Sequence, residues 1–159
     1  MPDPSTRVQA ALDALGLDIK IQTFEIPTST APEAAAAVGC ELGAIVKSLC
    51  FIVDGNPVLV LAAGDRRVDS KALRHIYGVS KRKVKIADPE TVTQVTGFAV
   101  GGVPPLGHPR PLTTLIDRNL SRYETVYAAA GTPNAIFPIP YTTLVAVTDG
   151  EVHDLTIEG

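Results

Sequence analysis

The sequence predicts an α+β fold in which a mixed, partly closed β-sheet is wrapped by short helices. Three observations lead there. Apolar runs of strand length are interleaved with short, capped helical segments, without the regular strand–helix rhythm of a parallel sheet. The 159 residues are 45% hydrophobic, enough for one substantial core and too few for two comfortable ones, so a single domain spanning 1–159 is expected. Aromatic residues make up only 5% and Trp is absent, which leaves Val, Leu, Ile and Ala to fill the core.

Along the chain, Ser5 is placed to cap a first helix carrying Val8, Leu12 and Leu15 at helical spacing, with Gly16 to end it. Ile19, Ile21 and Phe24 to Ile26 read as a strand. Thr30 and Glu33 form a capping-box pattern that opens an Ala-rich helix stopping at Gly39. Ile45 to Val53 and Val58 to Ala63, joined by Asp54-Gly55-Asn56-Pro57, make the best hairpin in the sequence. Asp69 caps a helix to Tyr77 before Gly78, Lys83 to Ile86 is a short strand, and Asp88-Pro89-Glu90 starts a helix ending near Gly97. The Gly101 to Pro109 stretch is too rich in Gly and Pro for regular structure. Strands resume at Leu112 to Asp117, Thr125 to Ala129 and Ala135 to Ile139, then a helix near Thr142 to Val147 and a last strand from Glu151 to Leu155.

A formal net charge of −3 argues against general adhesion to nucleic acid, yet eight of the fourteen Lys and Arg residues fall between Arg66 and Lys85, with Asp69 the lone acid among them. Such a patch can neutralise phosphates, although charge runs are more often merely solvated. Cys40 and Cys50 show no metal or redox spacing, so two buried, reduced thiols and no metal are expected. The Met1 to Ser5 start has neither a basic nor an apolar region and no run is long enough to cross a membrane, so a cytoplasmic protein without membrane attachment is expected.

Strand alternation puts Ile45, Lys47, Leu49, Phe51 and Val53 on one face, with Lys47 the single charge in the row. A lysine there either snorkels at a strand end or meets a ligand anion or carbonyl. The Gly101 to His108 loop is either a rigid turn or a cradle of main-chain amides, and Ala130-Gly131-Thr132-Pro133-Asn134 poses the same choice. His108 has no carboxylate nearby in sequence to orient it as a base. A nucleophile elbow, a phosphate-cradling Walker loop and a dinucleotide fingerprint are all lacking, which removes the usual support for covalent catalysis and nucleotide-cofactor chemistry.

Taken together, Val46-Lys47-Ser48-Leu49, then Thr96-Gly97-Phe98-Ala99-Val100-Gly101-Gly102-Val103-Pro104-Pro105-Leu106-Gly107-His108, then Ala129-Ala130-Gly131, resemble the YbaK/ProX family of aminoacyl-tRNA deacylases, related to the prolyl-tRNA synthetase editing domain. The resemblance covers nearly the whole chain. It implies a barrel-like mixed sheet and a pocket for the aminoacylated adenosine at the tRNA acceptor end, with no metal or organic cofactor. In the implied mechanism Lys47 holds the terminal nucleotide or its phosphate, amides around Gly101 and Gly102 face the ester carbonyl, and water attacks, assisted by the tRNA's own terminal hydroxyl. Phe24, Thr30, Pro105, Gly107, His108, Gly131 and Ile136 are the implied substrate-binding residues. The aminoacyl-tRNA would rest on Arg66, Arg67, Lys71, Arg74, Lys81 and Arg82, and prolyl-tRNA synthetase is a second expected partner. The cysteine-directed branch carries Tyr at Phe24 and Asp near Ile136, so a more apolar pocket here favours a small amino acid, alanine ahead of serine, threonine or cysteine. The competing expectation is a non-catalytic tRNA-binding adaptor of the same fold.

Overall fold

The computed structural model describes residues 3–159; Met1 and Pro2, on which the reading of the chain's start partly rests, lie outside it. Helix α1 (Pro4–Ala14) is capped by Asp3, whose carboxylate accepts the Ser5 amide at 2.8 Å and the Ser5 hydroxyl at 2.7 Å, so Ser5 is the capped residue and not the cap. Asp3 outcompetes Ser5 because Pro4 occupies the first helical position, where its missing N–H costs nothing. Fully buried Val8 and Leu12 fix α1 to the core, and Gly16 turns the chain at φ 74°.

Of the strand expected across residues 19–26, only β1 (Gln22–Thr23) forms, pairing with β8 (Ala135–Pro140). Pro27 and the neighbouring loop, where Thr28 donates its amide to Pro133 O at 2.7 Å, take the chain off the ladder. Helix α2 (Ala31–Val38) has the full capping box, Thr30 and Glu33 satisfying each other's amides, and ends at left-handed Gly39. The hairpin β2 (Ile45–Val53) and β3 (Asn56–Ala63) closes through two residues only, Asp54 and Gly55, at φ 50° and 82°. Positive φ at both is what a twisted two-residue hairpin demands.

The strand β4 (Arg66–Val68) follows, then helix α3 (Ser70–Tyr77), capped by Asp69, strand β5 (Val84–Ile86) and helix α4 (Pro89–Thr96), capped by Asp88. After the irregular Gly/Pro stretch come β6 (Thr113–Asp117), β7 (Thr125–Ala129), β8, helix α5 (Tyr141–Thr148), β9 (Glu151–His153) and β10 (Thr156–Glu158). The expected final strand is thus two, and β4 was not foreseen; β10 and β4 pair with each other, Thr156 opposite Val68 and Glu158 opposite Arg66.

The main sheet runs β1-β8-β7-β2-β3-β6-β9, with parallel and antiparallel neighbours mixed, and five helices pack around it. It is the expected barrel-like α+β arrangement, left open between β1 and β9. One edge of β2 is fully paired with β3. Its other edge is shared: β7 pairs at Ile45 and Val46, and β5 pairs at Phe51 to Val53. Between them the strands fork, and Lys47, Ser48 and Leu49 have no strand partner on that side.

Cys50 is buried as expected, whereas Cys40 is half-buried beside α2; burial pushes both thiols above their ordinary range. Among the described residues no helix is long and apolar enough to cross a membrane.

Candidate active site

At the fork lies a cleft of about 430 Å³, walled by Thr28 to Pro32 at the start of α2, by Ile45 to Leu49 of β2, by Val100, Gly101 and Val103, and by Tyr127 to Ala129 and Ile136. Lys47 is half-buried there. Its ammonium donates to the main-chain oxygen of Arg66, which leaves two further N–H bonds for a ligand. Burial pushes the Lys47 pKa below the ordinary lysine value, and the carboxylates of Asp65 and Asp117 oppose that shift. Asp65 is itself clamped by Arg122 through paired bonds of 3.0 and 2.7 Å, which hold its carboxyl below the usual carboxylate range.

Gly101 reaches the cleft at φ 91°, where a Cβ would stand 3.1 Å from Ser29 Cβ. Among the described residues nothing accepts a hydrogen bond from its amide. Gly102 behaves differently, and the expectation that its amide faces the cleft needs correction. That amide donates to Ala99 O at 3.0 Å, and its carbonyl accepts the Gly131 amide at 2.8 Å. A Cβ on Gly102 would meet the Gly131 carbonyl at 2.8 Å, so the two glycine loops touch backbone to backbone. Gly131, at φ 98°, has Pro4 O against its other side, which locks α1 beneath both loops.

The cleft therefore gathers Lys47, Thr30, Gly101 and Ile136 from the expected set. Phe24 stands behind it, packed with Ala34, Ala35, Ile45 and Ile136. Pro105, Gly107 and His108 lie in a different depression, with Arg110, Thr148 and Glu151. His108 Nε2 sits 2.8 Å from Pro104 O, the ring meets Phe98 edge-on at 6.4 Å, and burial depresses its pKa. With Nε2–H given to that carbonyl and the ring lining the second depression, His108 is not among the residues that line the cleft. The Asp, Glu and His side chains are all missing from the residues that line the cleft. No group of three or more His, Cys, Asp or Glu that could hold a metal is found among the described residues.

Two residues in or beside the site were not singled out by the sequence reading. Ser48 Oγ is buried without a hydrogen-bond partner, an orphan that only its place next to Lys47 could have flagged. Asp117, wholly buried at the end of β6, was hidden as one acid closing an apolar run.

The basic run divides in two. Arg66 and Arg67 lie on β4 near the cleft, Arg66 holding the hydroxyl and main-chain oxygen of Thr156 at 3.3 and 3.4 Å. Lys81, Arg82, Lys83 and Lys85 gather around Ile52 and Gly55 at the far end of the hairpin. Ile52 is five positions beyond Lys47, which on an extended strand is roughly 17 Å. Lys83 is drawn to Asp54 at 3.6 Å, Lys71 is exposed on α3, and Arg74 is half-buried with Nε unpartnered among the described residues.

Comparison with known proteins identifies this arrangement. The chain matches the family model for the aminoacyl-tRNA editing domain over residues 25–147. It is 35% identical over 116 residues to the uncharacterized protein YwhH of Bacillus subtilis (strain 168), covering 72% of each chain. It is 36% identical over 86 residues to a proline–tRNA ligase of Nitratidesulfovibrio vulgaris (strain DP4), a match that takes in 52% of this chain and only 15% of the ligase. The crystal structure of a candidate trans-editing enzyme for prolyl tRNA synthetase superimposes with a TM-score of 0.91 at 40% identity over 99% of both chains. Sequence and fold agree, and the chain belongs to the aminoacyl-tRNA editing domain family.

Proposed function

We propose that residues 1–159 form a single deacylase domain that removes a small amino acid, alanine by preference over serine, threonine or cysteine, from mischarged tRNA for proline. The observation that carries the reading is the unpaired stretch of β2, where Lys47, with its half-buried ammonium, and Gly101, whose amide has no acceptor among the described residues, line one cleft.

The terminal nucleotide lies against Lys47, whose two remaining N–H bonds hold a phosphate or ribose oxygen. The ester carbonyl points to the Gly101 amide, which stabilises the negative charge that develops on its oxygen. One such donor is worth on the order of 10²- to 10³-fold in rate. Water adds to the carbonyl carbon, the bond to the ribose oxygen breaks, and the proton from water ends on that oxygen, releasing free amino acid and uncharged tRNA. With neither carboxylate nor imidazole lining the cleft, the neighbouring ribose hydroxyl orders the water. The wall contributed by Ile45, Val46 and Ile136 is apolar and suits a small aliphatic side chain, which supports the preference for alanine. The prolyl group is kept out by shape, since apolar contacts alone discriminate by only about 1 to 3 kcal/mol per methylene.

The acceptor stem lies along the cationic side chains, from Arg66 and Arg67 out to Lys71, Arg74, Lys81 and Arg82, and prolyl-tRNA synthetase is the protein partner. A translation role of this kind places the chain in the cytoplasm. The deciding experiment is deacylation of tRNA for proline charged with Ala, Ser, Thr, Cys or Pro, by wild type and Lys47→Ala. Selective hydrolysis abolished by the substitution supports editing and names the amino acid. Tight tRNA binding without hydrolysis of any member moves the assignment to the adaptor.

A further inference from the structure

The ammonium of Lys47 takes its place from a main-chain oxygen, that of Arg66, and main-chain oxygens move with their strands. What fixes β4 therefore fixes Lys47. On β10, diagonal to Arg66, the Thr156 hydroxyl accepts from the Arg66 side chain at Nε (3.3 Å) and from Asn119 Nδ2 at 3.2 Å, and donates to Asp117 Oδ2 at 2.9 Å. Both of the first two partners can only donate, so the single hydroxyl proton goes to Asp117 and all capacity of the oxygen is used. The carboxylate of Asp117, wholly buried, also receives the Asn119 amide and Nδ2 at 3.3 and 3.2 Å and the Ala63 amide at 3.5 Å. Ala63 is the last residue of β3, three before Arg66. Asp117 thus grips the Ala63 to Arg66 segment at one end directly and at the other through Thr156.

We propose that Asp117 and Thr156 are positioning residues for Lys47, holding the Arg66 carbonyl at the spot where it orients the ammonium in the cleft. The proposal rests on the reading of Lys47 as the group that holds the substrate. Neither residue touches the cleft; both act through Arg66. The groups facing Lys47 are few: Asp65 on the β3–β4 connection, Asp117 on β6, and the Arg66 carbonyl, with Arg122 turned aside onto Asp65. A fully satisfied polar junction of this kind holds one geometry, and an incomplete one does not.

The test reads Lys47 without requiring turnover. Wild type, Thr156→Val, Thr156→Ser and Asp117→Asn are treated briefly with acetic anhydride, and modification of Lys47 is measured by mass spectrometry against exposed Lys20 in the same molecule. Thr156→Val and Asp117→Asn should raise the Lys47 to Lys20 ratio on the order of 10-fold, the weight of one hydrogen bond to a charged group, and Thr156→Ser should restore it. In parallel, kcat for deacylation should fall by about 10- to 100-fold in Thr156→Val with KM little changed, as for other outer-shell partners, and recover in Thr156→Ser. An unchanged labelling ratio in folded Thr156→Val overturns the proposal, as does a Thr156→Ser variant as perturbed as Thr156→Val. Thr156→Val keeps the side-chain shape and decides alone if Asp117→Asn does not fold. Labelling that responds while no aminoacyl-tRNA is hydrolysed leaves the clamp standing and removes the deacylase reading.

Discussion

The Lys47 ammonium and the Arg66 carbonyl, nineteen residues apart, meet across the mouth of the hairpin, so the charge inside the cleft is held by backbone and not by a carboxylate partner. A carbonyl leaves the ammonium its full positive charge to offer an anion, whereas a direct ion pair would already have neutralised it. Replacing Lys47 with Ala should lower kcat/KM for deacylation by about 10-fold or more, the weight of a hydrogen bond to a charged group. Single-turnover kinetics check this, and a loss confined to KM assigns Lys47 to uniform binding instead.

The same burial has a signature in stability. The pKa of Lys47 is lower in the folded chain than in the unfolded one, so between the folded value and the ordinary 10.5 the unfolded state holds more protons. Stability contributed at this site therefore rises with pH through that window, and the penalty for the buried charge is fully present below it. Wild type compared with Lys47→Met in urea titrations from pH 8 upward should show wild type gaining on the variant; parallel curves would mean the ammonium is not desolvated.

Gly101 and Gly102 should separate chemistry from fold. Gly101→Ala places a Cβ on a residue at φ 91° and against Ser29, disturbing the free amide, so kcat should drop while the protein stays folded. Gly102→Ala drives a Cβ into the Gly131 backbone and should destabilise by about 1 to 3 kcal/mol. Thermal unfolding beside deacylation rates distinguishes the two.

For the cationic surface, Lys81→Glu and Arg82→Glu should weaken tRNA binding and reduce the slope of log K against log salt by about 1 for each phosphate that is no longer neutralised. Arg74→Glu should do so less cleanly, because Arg74 is half-buried and its substitution also costs stability. Filter binding at several salt concentrations reads the slope, and an unaltered slope would make the cluster a solvated face.

Elements governed by neighbours in sequence were legible. Thr30 with Glu33, Asp54-Gly55 and Asp69 with Gly78 each state their structure within a few residues, because capping and turn chemistry are local. What the sequence concealed is set at long range. The strands β4 and β10 are short, polar and separated by about ninety residues, and each is a strand only because the other is there. Lys47 was conspicuous as a charge in an apolar row, and Gly101 as part of a Gly/Pro stretch. Separating Gly101 from Gly102, and His108 from the cleft, required knowing which amides and rings were already engaged.

The long reach from Arg66 to Thr156 also sets an order of events during synthesis. Lys47, Gly101 and the walls of the cleft leave the ribosome well before Thr156 does, and Gly131 must come back to Pro4 to seat the loop beneath them. Until residue 156 is made, the Arg66 guanidinium lacks its Thr156 partners, so a nascent or prematurely stopped chain can carry the cleft's residues without the complete clamp. The cleft is thus among the last features of the fold to mature, and translation itself delays completion of a site that would act on translation's own substrates.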